Sequence, residues 1–145
     1  MISTVAVGTD GSPTAAIAVD AALDLAERFG AALVVLSAYT GKSGGPSMPR
    51  LSGGTSSDHD WASNDAQQAE SILADVQERA SERGIDCKSD IGQGDPGEVL
   101  VHLAERHAAD VLVVGNKGMH RRVLGSVPNT VTHRASCSVY VVKTT

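Results

Sequence analysis

Asp110-Val-Leu-Val-Val-Gly115 is the stretch of sequence that decides the fold. It is a short apolar run rich in β-branched residues, which is typical of a strand buried on both faces of a sheet. The run ends in a glycine, and Asn116-Lys-Gly118 follows with a second glycine that favours a turn. We therefore interpret residues 110–115 as a buried strand whose carboxyl end leads into a glycine-bearing loop.

Similar runs occur elsewhere in the chain, and helical patterns separate them. Further strands are predicted at residues 4–8, 31–38, 85–91 and 138–142. Helices are predicted at residues 13–29, 61–83, 96–107 and 126–134. Because a helix lies between successive strands, the connections are crossovers rather than hairpins. Right-handed crossovers give an α/β fold with a doubly wound sheet of five parallel strands.

Two of the helix starts carry clear capping signals. Ser12 precedes Pro13, and Asp95-Pro-Gly-Glu98 combines a cap, a proline at the first helical position and a glutamate at the third. Gly30 is predicted to close the first helix. Apolar residues recur in that helix at four-residue spacing, and we expect them to form its buried face; they are Ile17, Ala21, Leu25 and Phe29.

Composition favours one globular domain that covers residues 1–145. Hydrophobic residues make up 41% and charged residues 20% of the chain, and the net charge of −5 argues against a general nucleic-acid binder. No apolar run approaches the roughly 20 residues that cross a bilayer. Cys87 and Cys137 lack disulfide or zinc spacing, so we expect reduced thiols in a cytoplasmic protein. Residues 41–60, rich in Gly, Ser and Pro, are predicted to form a mobile loop.

Polar residues and glycines cluster where two of the predicted strands end. Thr9 and Asp10 follow the first strand, and Gly115 and Gly118 belong to the loop after the fourth. Ligands in such sheets bind outside the carboxyl ends of the strands, where the strand order reverses. If these two strands are neighbours, both loops border one crevice.

The loop after the fourth strand has the features of a phosphate site. We expect Gly115 and Gly118 to allow positive φ and a close approach of the ligand to the backbone. Gly125-Ser126 opens a helix, whose first N–H groups and positive dipole end attract anions. This combination predicts a site for a di- or triphosphate.

Charged side chains complete this prediction. Lys117, Arg121 and Arg122 would add positive charge near the phosphates. Asp10 suits a ribose hydroxyl pair or a Mg²⁺ ion held by the phosphates. Two alternatives stay open on the residues alone: the glycines make only tight turns, and Asp10 caps the entry turn of the first helix.

Three segments together resemble the universal stress protein family, in an actinobacterial style. They are Val7-Gly-Thr-Asp-Gly-Ser12, Val113-Val-Gly-Asn-Lys-Gly118 and Leu124-Gly-Ser-Val-Pro128, and the resemblance covers essentially the whole chain. It implies a strand order of 3-2-1-4-5 and an adenine nucleotide, with ATP as the first expectation. The nucleotide-binding residues that follow are Gly8, Thr9, Asp10, Ala38, Val114, Gly115, Lys117, Gly118, Arg121, Arg122, Gly125, Ser126 and Val127.

The spacing of the motif departs from that of the ATP-binding members. Their pattern has nine residues between its second and third glycines, whereas this chain has six between Gly118 and Gly125. Three fewer residues is nearly one helical turn. The shorter linker suits a tighter pocket or a smaller nucleotide, and cyclic AMP is the alternative because some related actinobacterial proteins prefer it.

The resemblance also implies a homodimer. The predicted strand at residues 138–142 is apolar and carries no lysine or proline before Lys143, so its edge invites a partner strand. Because the sequence shows no acid–base pair or metal-binding spacing, we expect a regulatory nucleotide-binding protein rather than an enzyme. A slow Mg²⁺-dependent ATP hydrolase and an interaction module with an empty crevice are the alternatives.

Overall fold

The computed structural model describes residues 1–40, 65–116 and 124–144. The strands within these ranges are β1 (Thr4–Gly8), β2 (Ala32–Tyr39), β3 (Cys87–Gln93), β4 (Val111–Asn116) and β5 (Ser138–Lys143). The helices are α1 (Pro13–Phe29), α2 (Ala66–Glu82), α3 (Pro96–Arg106) and α4 (Ser126–Arg134). The five strands form one sheet in the order β3-β2-β1-β4-β5, with parallel pairing throughout. The predicted doubly wound α/β sheet is confirmed.

Local capping sets the ends of the helices. The Ser12 side chain accepts a hydrogen bond from the Ala15 N–H at the start of α1, and Gly30 ends that helix in a left-handed conformation, with φ of 63°. The Asp95 side chain likewise accepts from the Glu98 N–H at the start of α3, as predicted.

The start of α2 differs from the prediction. Asp65 and Gln68 form a reciprocal capping box, and Asp65 has an extended backbone, so the helix begins at Ala66 rather than near Trp61. The alanines at 62 and 66 continue the helical spacing across this cap, which is why periodicity alone placed the start too early. The predicted mobile loop at residues 41–60 lies outside the described residues.

The sheet separates two apolar cores. Val5 and Val7 of β1 point to the core under α1 and α2, while Ala6 points to the core under α3 and α4. This alternation follows from the two-residue period of a strand, and it gives a sheet covered by helices on both faces. No helix within the described residues has both the length and the apolar character needed to cross a bilayer.

The predicted buried face of α1 is wrong in part. Ile17 and Phe29 are 42% and 51% exposed, while Ala21 and Leu25 are partly buried and pack against the core. The buried positions are Ala15, Ala18, Val19, Ala22, Leu23 and Ala26, which are mostly small residues. Because α1 is rich in alanine, the positions of its larger apolar residues do not identify the face that packs. Alanine at the interface lets the helix axis lie close to the strands.

The strand order reverses at β1. This strand pairs with β2 on one side, with Val5 opposite Leu33, and with β4 on the other, with Val5 opposite Val111. The chain leaves β1 for α1 on one face, and it enters α4 on the opposite face after β4. The connections therefore diverge at the carboxyl ends of these strands and open a crevice there.

Close packing favours glycine at position 8, the last residue of β1. A Cβ placed on Gly8 would lie 2.6 Å from Cδ1 of Leu100, a residue of α3 that is fully buried. The side chain of Leu100 thus fills the space below the floor of the crevice. Glycine at this position lets α3 and β1 come into contact.

We expect Gly8→Ala to lower the free energy of unfolding by about 1–3 kcal/mol through overpacking. Leu100→Ala should cost about 2–5 kcal/mol because it leaves a cavity. In the double variant the new methyl group occupies part of that cavity, so the combined loss should be smaller than the sum of the single losses. Denaturant unfolding of the four proteins measures this coupling, and strictly additive losses would contradict the packing argument.

Candidate functional site

A narrow crevice with an enclosed volume of about 40 Å³ lies at the carboxyl ends of β1 and β4. A topological switch point of this kind is a usual place for a ligand site. The crevice is bounded by the loop after β1, the first turn of α1, the end of β4 and the start of α4. Its described lining residues are Gly8, Asp10, Ser12, Thr14, Ala15, Val114, Gly115, Gly125, Val127 and Pro128.

Buried hydrogen bonds fix the loop after β1. The Thr9 N–H donates to the carbonyl of Leu36 at 3.0 Å, and the hydroxyl of Ser37 donates to the carbonyl of Thr9 at 2.8 Å. Ser37 is completely buried and Thr9 is 2% exposed. Both polar groups of the Thr9 backbone are therefore held by β2, so the loop leaves the sheet in a defined direction.

Asp10 stabilises the turn that enters α1. Its Oδ1 accepts a hydrogen bond from the Ser12 N–H at 2.9 Å, and the Gly11 N–H donates to the hydroxyl of Thr9 at 3.1 Å. Gly11 has φ of +80°, a backbone conformation that favours glycine. The capping alternative for Asp10 is thus supported by this bond, and the same carboxylate lines the crevice.

Gly115 has a different role from the predicted one. It belongs to β4 opposite Val142, and it is not among the glycines with positive φ. A Cβ at this position would lie 3.3 Å from the carbonyl oxygen of Thr14 and 3.5 Å from Cβ of Ala18. The glycine therefore lets the first turns of α1 approach β4, which narrows the crevice. The backbone of Gly115 lines the crevice from the strand.

Asn116 joins the two ends of the loop after β4, a role that the sequence analysis missed. Its side chain is completely buried, and its Oδ1 accepts a hydrogen bond from the Gly125 N–H at 2.9 Å. Its backbone carbonyl accepts from the hydroxyl of Thr144 at 2.7 Å. Asparagine in a loop after a strand is a general turn signal. That signal could have marked the residue, but it could not have named its partner nine positions away.

The start of α4 forms the other side of the crevice. Gly125 is its N-cap and makes no side-chain cap, while Ser126 and Val127 occupy the first two helical positions. Pro128 occupies the third position, where it supplies no N–H. The first turn therefore presents the amides of Ser126 and Val127 at the positive end of the helix dipole.

The first turn of α1 contributes residues that were not predicted. The hydroxyl of Ser12 accepts from the Ala15 N–H at 3.2 Å and lies 3.2 Å from the hydroxyl of Thr14. All three residues line the crevice. The sequence analysis interpreted Ser12 and Pro13 only as a signal for the start of α1. Because this helix starts at the switch point, its N-cap residue Ser12 also lines the crevice.

The structure brings together only part of the predicted set. Of these residues it places six on the wall of the crevice, namely Gly8, Asp10, Val114, Gly115, Gly125 and Val127. Thr9 and Ala38 are buried and do not line the crevice. Ser126 is exposed at the start of α4 and does not line it either. Four predicted residues lie outside the described residues, namely Lys117, Gly118, Arg121 and Arg122.

Acidic residues with lowered pKa values lie away from the crevice. Burial raises the pKa of Asp90 on β3, but hydrogen bonds from His107 and Arg106 outweigh it and lower the pKa overall. The backbone N–H groups of Ser3 and Thr4 lower the pKa of Asp110 at the amino end of the sheet. The described residues contain no group of three or more His, Cys, Asp or Glu side chains able to hold a metal.

The fold and the crevice define a doubly wound α/β protein with a ligand site at the switch point between β1 and β4. The chain matches the family model described as "Universal stress protein family" over residues 1–143. It is 36% identical over 152 aligned residues to the universal stress protein Rv1636 of Mycobacterium tuberculosis, covering 98% of this chain and 97% of the relative. The chain therefore belongs to the universal stress protein family.

Solved structures agree with this assignment. A universal stress protein in complex with cAMP superposes with a TM-score of 0.71 at 32% identity, covering 99% of this chain and 98% of that one. The crystal structure of Rv1636 from M. tuberculosis has a TM-score of 0.57 at 34% identity, with coverage of 99% and 97%. The adenine nucleotide that the resemblance implied is therefore present in a relative of the same family.

The role of Asp10 in stabilising the turn before α1 can be tested by substitution. Asp10→Asn keeps the Oδ1 acceptor for the Ser12 N–H, whereas Asp10→Ala removes it. We expect Asp10→Ala to unfold with a free energy about 1 kcal/mol below that of Asp10→Asn, because the turn amide loses its partner. Urea unfolding of both variants checks this order. Equal stabilities would show that the bond does not support the turn.

Proposed function

We propose that the crevice binds an adenine nucleotide and that the protein acts as a regulatory binding protein. The observation that carries the proposal is the meeting of two loops at one crevice: Asp10 from the end of β1 faces the start of α4. This pairs an acceptor suited to ribose hydroxyl groups with helix amides suited to phosphate. A relative at 32% identity, solved in complex with cAMP, supports the same ligand class.

In this proposal the base and ribose lie at the ends of β1 and β2. Gly8 and Asp10 line the crevice and would contact the adenosine, whereas Thr9 and Ala38, which are buried and do not line it, remain predicted contacts. Asp10 is only 6% exposed, so a hydrogen bond from a ribose hydroxyl would form in a largely desolvated place. Buried polar partners of this kind discriminate strongly between ligands.

The phosphate would lie at the start of α4. Ser126 and Val127 supply two backbone donors, and Pro128 removes the third donor that an ordinary first turn would offer. A pair of amides suits one phosphate group better than a chain of three. Lys117, Gly118, Arg121 and Arg122 remain predicted phosphate contacts from the segment outside the described residues.

We therefore favour cyclic AMP over the ATP that the sequence analysis put first. The shortened linker between Gly118 and Gly125, the proline at the third helical position and the cAMP complex of the relative all support the smaller nucleotide. ATP with Mg²⁺ is the alternative. Asp10 is the one acidic side chain among the described lining residues, so a Mg²⁺ ion would take its other ligands from phosphate oxygens and water.

Calorimetry with cyclic AMP, AMP, ATP and cyclic GMP tests this proposal, with ATP measured with and without Mg²⁺. We expect cyclic AMP to bind at least about tenfold more tightly than ATP, since a tenfold ratio is about 1.4 kcal/mol. Cyclic GMP, which has the same phosphate and another base, is the matched control and should bind more weakly. Tighter binding of Mg-ATP would favour the alternative, and no binding by any adenine nucleotide would refute the proposal.

The predicted homodimer is part of this proposal. Within the described residues β5 pairs with β4 alone, and it lies at the edge of the sheet. Tyr140 is 45% exposed on this strand, and the neighbouring Val139 and Val141 are only partly buried. The other edge strand, β3, carries Lys88 and Asp90, and charged edges of this kind disfavour strand pairing.

Substitution of Tyr140 tests the dimer. Light scattering should give a dimer for the wild type and a larger monomer fraction for Tyr140→Lys, because a charge would be placed at the paired edge. Ser89→Lys, an exposed position on the opposite edge strand, is the control and should leave the dimer intact. A wild-type monomer at micromolar concentration, or dissociation by the control alone, would contradict pairing through residues 138–142.

A further inference from the structure

We propose that Asn116 is a positioning residue that fixes the start of α4 for phosphate binding without contacting the ligand. The inference rests on the proposed function and adds to it the residue that sets the geometry of the phosphate end. It starts from one hydrogen bond, which joins Asn116 Oδ1 to the Gly125 N–H across the loop after β4.

The atom of Asn116 that binds the Gly125 N–H is its side-chain oxygen. The Gly125 N–H needs an acceptor, and in the Asn116 side chain only Oδ1 accepts whereas the NH₂ group donates, so this bond sets the orientation of the side-chain amide. Asn116 is completely buried and is not among the residues that line the crevice. It therefore reaches the site through Gly125, the N-cap residue of α4.

The anchor at Asn116 is itself rigid. The residue ends β4 opposite Lys143 of β5, and its backbone carbonyl accepts a hydrogen bond from the Thr144 hydroxyl. Strand β4, which is paired on both sides within the sheet, thus holds the N-cap of the helix through its last residue, across the loop after β4. Whatever path that loop takes, the bond keeps the end of β4 and the start of α4 together.

The consequence is specific to the phosphate. Gly125 has no side-chain cap of its own. Its carbonyl accepts the first helical hydrogen bond from the Asn129 N–H, and its N–H donates to Asn116, so the bond to Asn116 ties this first turn to the end of β4. The amides of Ser126 and Val127 belong to the same turn and move with it. A small displacement of two donors from a compact anion weakens charge-assisted hydrogen bonds steeply. The adenosine end depends on the loop after β1, which Ser37 holds independently.

Ser37 provides a matched control. Like Asn116 it is completely buried, and its hydrogen bond to the Thr9 carbonyl has a similar length, 2.8 Å against 2.9 Å. Ser37→Ala removes the buried hydrogen bond to Thr9, and Asn116→Ala removes the buried hydrogen bond to Gly125, so each variant releases a loop of the crevice. They differ in which end of the ligand the loop would hold.

The experiment compares cyclic AMP with adenosine, which lacks the phosphate, by calorimetry on wild type, Asn116→Ala and Ser37→Ala. For Asn116→Ala we expect the affinity for cyclic AMP to fall about tenfold, while the affinity for adenosine changes by less than about twofold. Ser37→Ala should weaken both ligands by a similar factor. Amide hydrogen exchange at Gly125 should become faster in Asn116→Ala and not in Ser37→Ala.

Equal weakening of both ligands by Asn116→Ala, or unchanged binding of cyclic AMP, would overturn the positioning role. If Asn116→Ala does not fold, Asn116→Thr replaces it, because its shorter side chain retains a hydroxyl but cannot reach Gly125, and the same selective loss is expected. The wild-type titration separates the two proposals. A wild type that binds neither ligand overturns the nucleotide site itself, whereas a wild type that binds both leaves the affinity ratio to decide on Asn116.

Discussion

The parallel pairing of β1 with both β2 and β4 is the constraint on which the rest of the structure depends. β1 is the first strand in chain order and lies in the middle of the sheet. The later strands are therefore placed on both of its sides. The helices after β1 and β4 then cover opposite faces. Their connections diverge at the carboxyl ends of β1 and β4 and leave a crevice there.

Small residues allow the helices to pack close to the strands around the crevice. Gly115 lets the first turn of α1 come within 3.3 Å of where a Cβ would lie, and Gly8 leaves room for Leu100 beneath the floor of the crevice. The buried face of α1 is mostly alanine, which allows the same close approach. Three of the ten described lining residues are glycines, which expose backbone on the walls of the site. Backbone walls suit ligands that are recognised by N–H and C=O groups.

The order of helices and strands and the parallel sheet could be predicted from residue patterns because these signals were local and mutually consistent, whereas the order of strands within the sheet was implied by the family resemblance. Capping residues at Ser12 and Asp95 marked helix starts that the structure reproduces, and the apolar run after residue 110 marked a strand. The packed face of α1 could not be found in the same way, since Ile17 and Phe29 are larger than the alanines that touch the sheet. A pattern of large apolar residues predicts a buried stripe only where large residues fill the interface.

The candidate site was predicted in part for a similar reason. Asp10 and Gly115 could be predicted as site residues because they lie where the apolar strand patterns end. Gly125 could be predicted because it directly precedes a helical pattern. The hydrogen bonds that Ser37 donates to Thr9 and that Asn116 accepts from Gly125 link residues far apart in sequence, and no periodicity or motif contains such pairings. Asn116 shows the limit clearly, because its type suggested a turn while its partner gives it a role at the N-cap of α4.

The account claims that the crevice between β1 and β4 is where an adenine nucleotide binds. The most direct test is a titration of ¹⁵N-labelled protein with cyclic AMP, followed by amide chemical shifts. The shifts should be largest for the turn after β1 and for Gly115, Ser126 and Val127, while amides of β3 and α2 stay unchanged. Large shifts confined to the β3 edge, or none at saturating nucleotide, would contradict the claim.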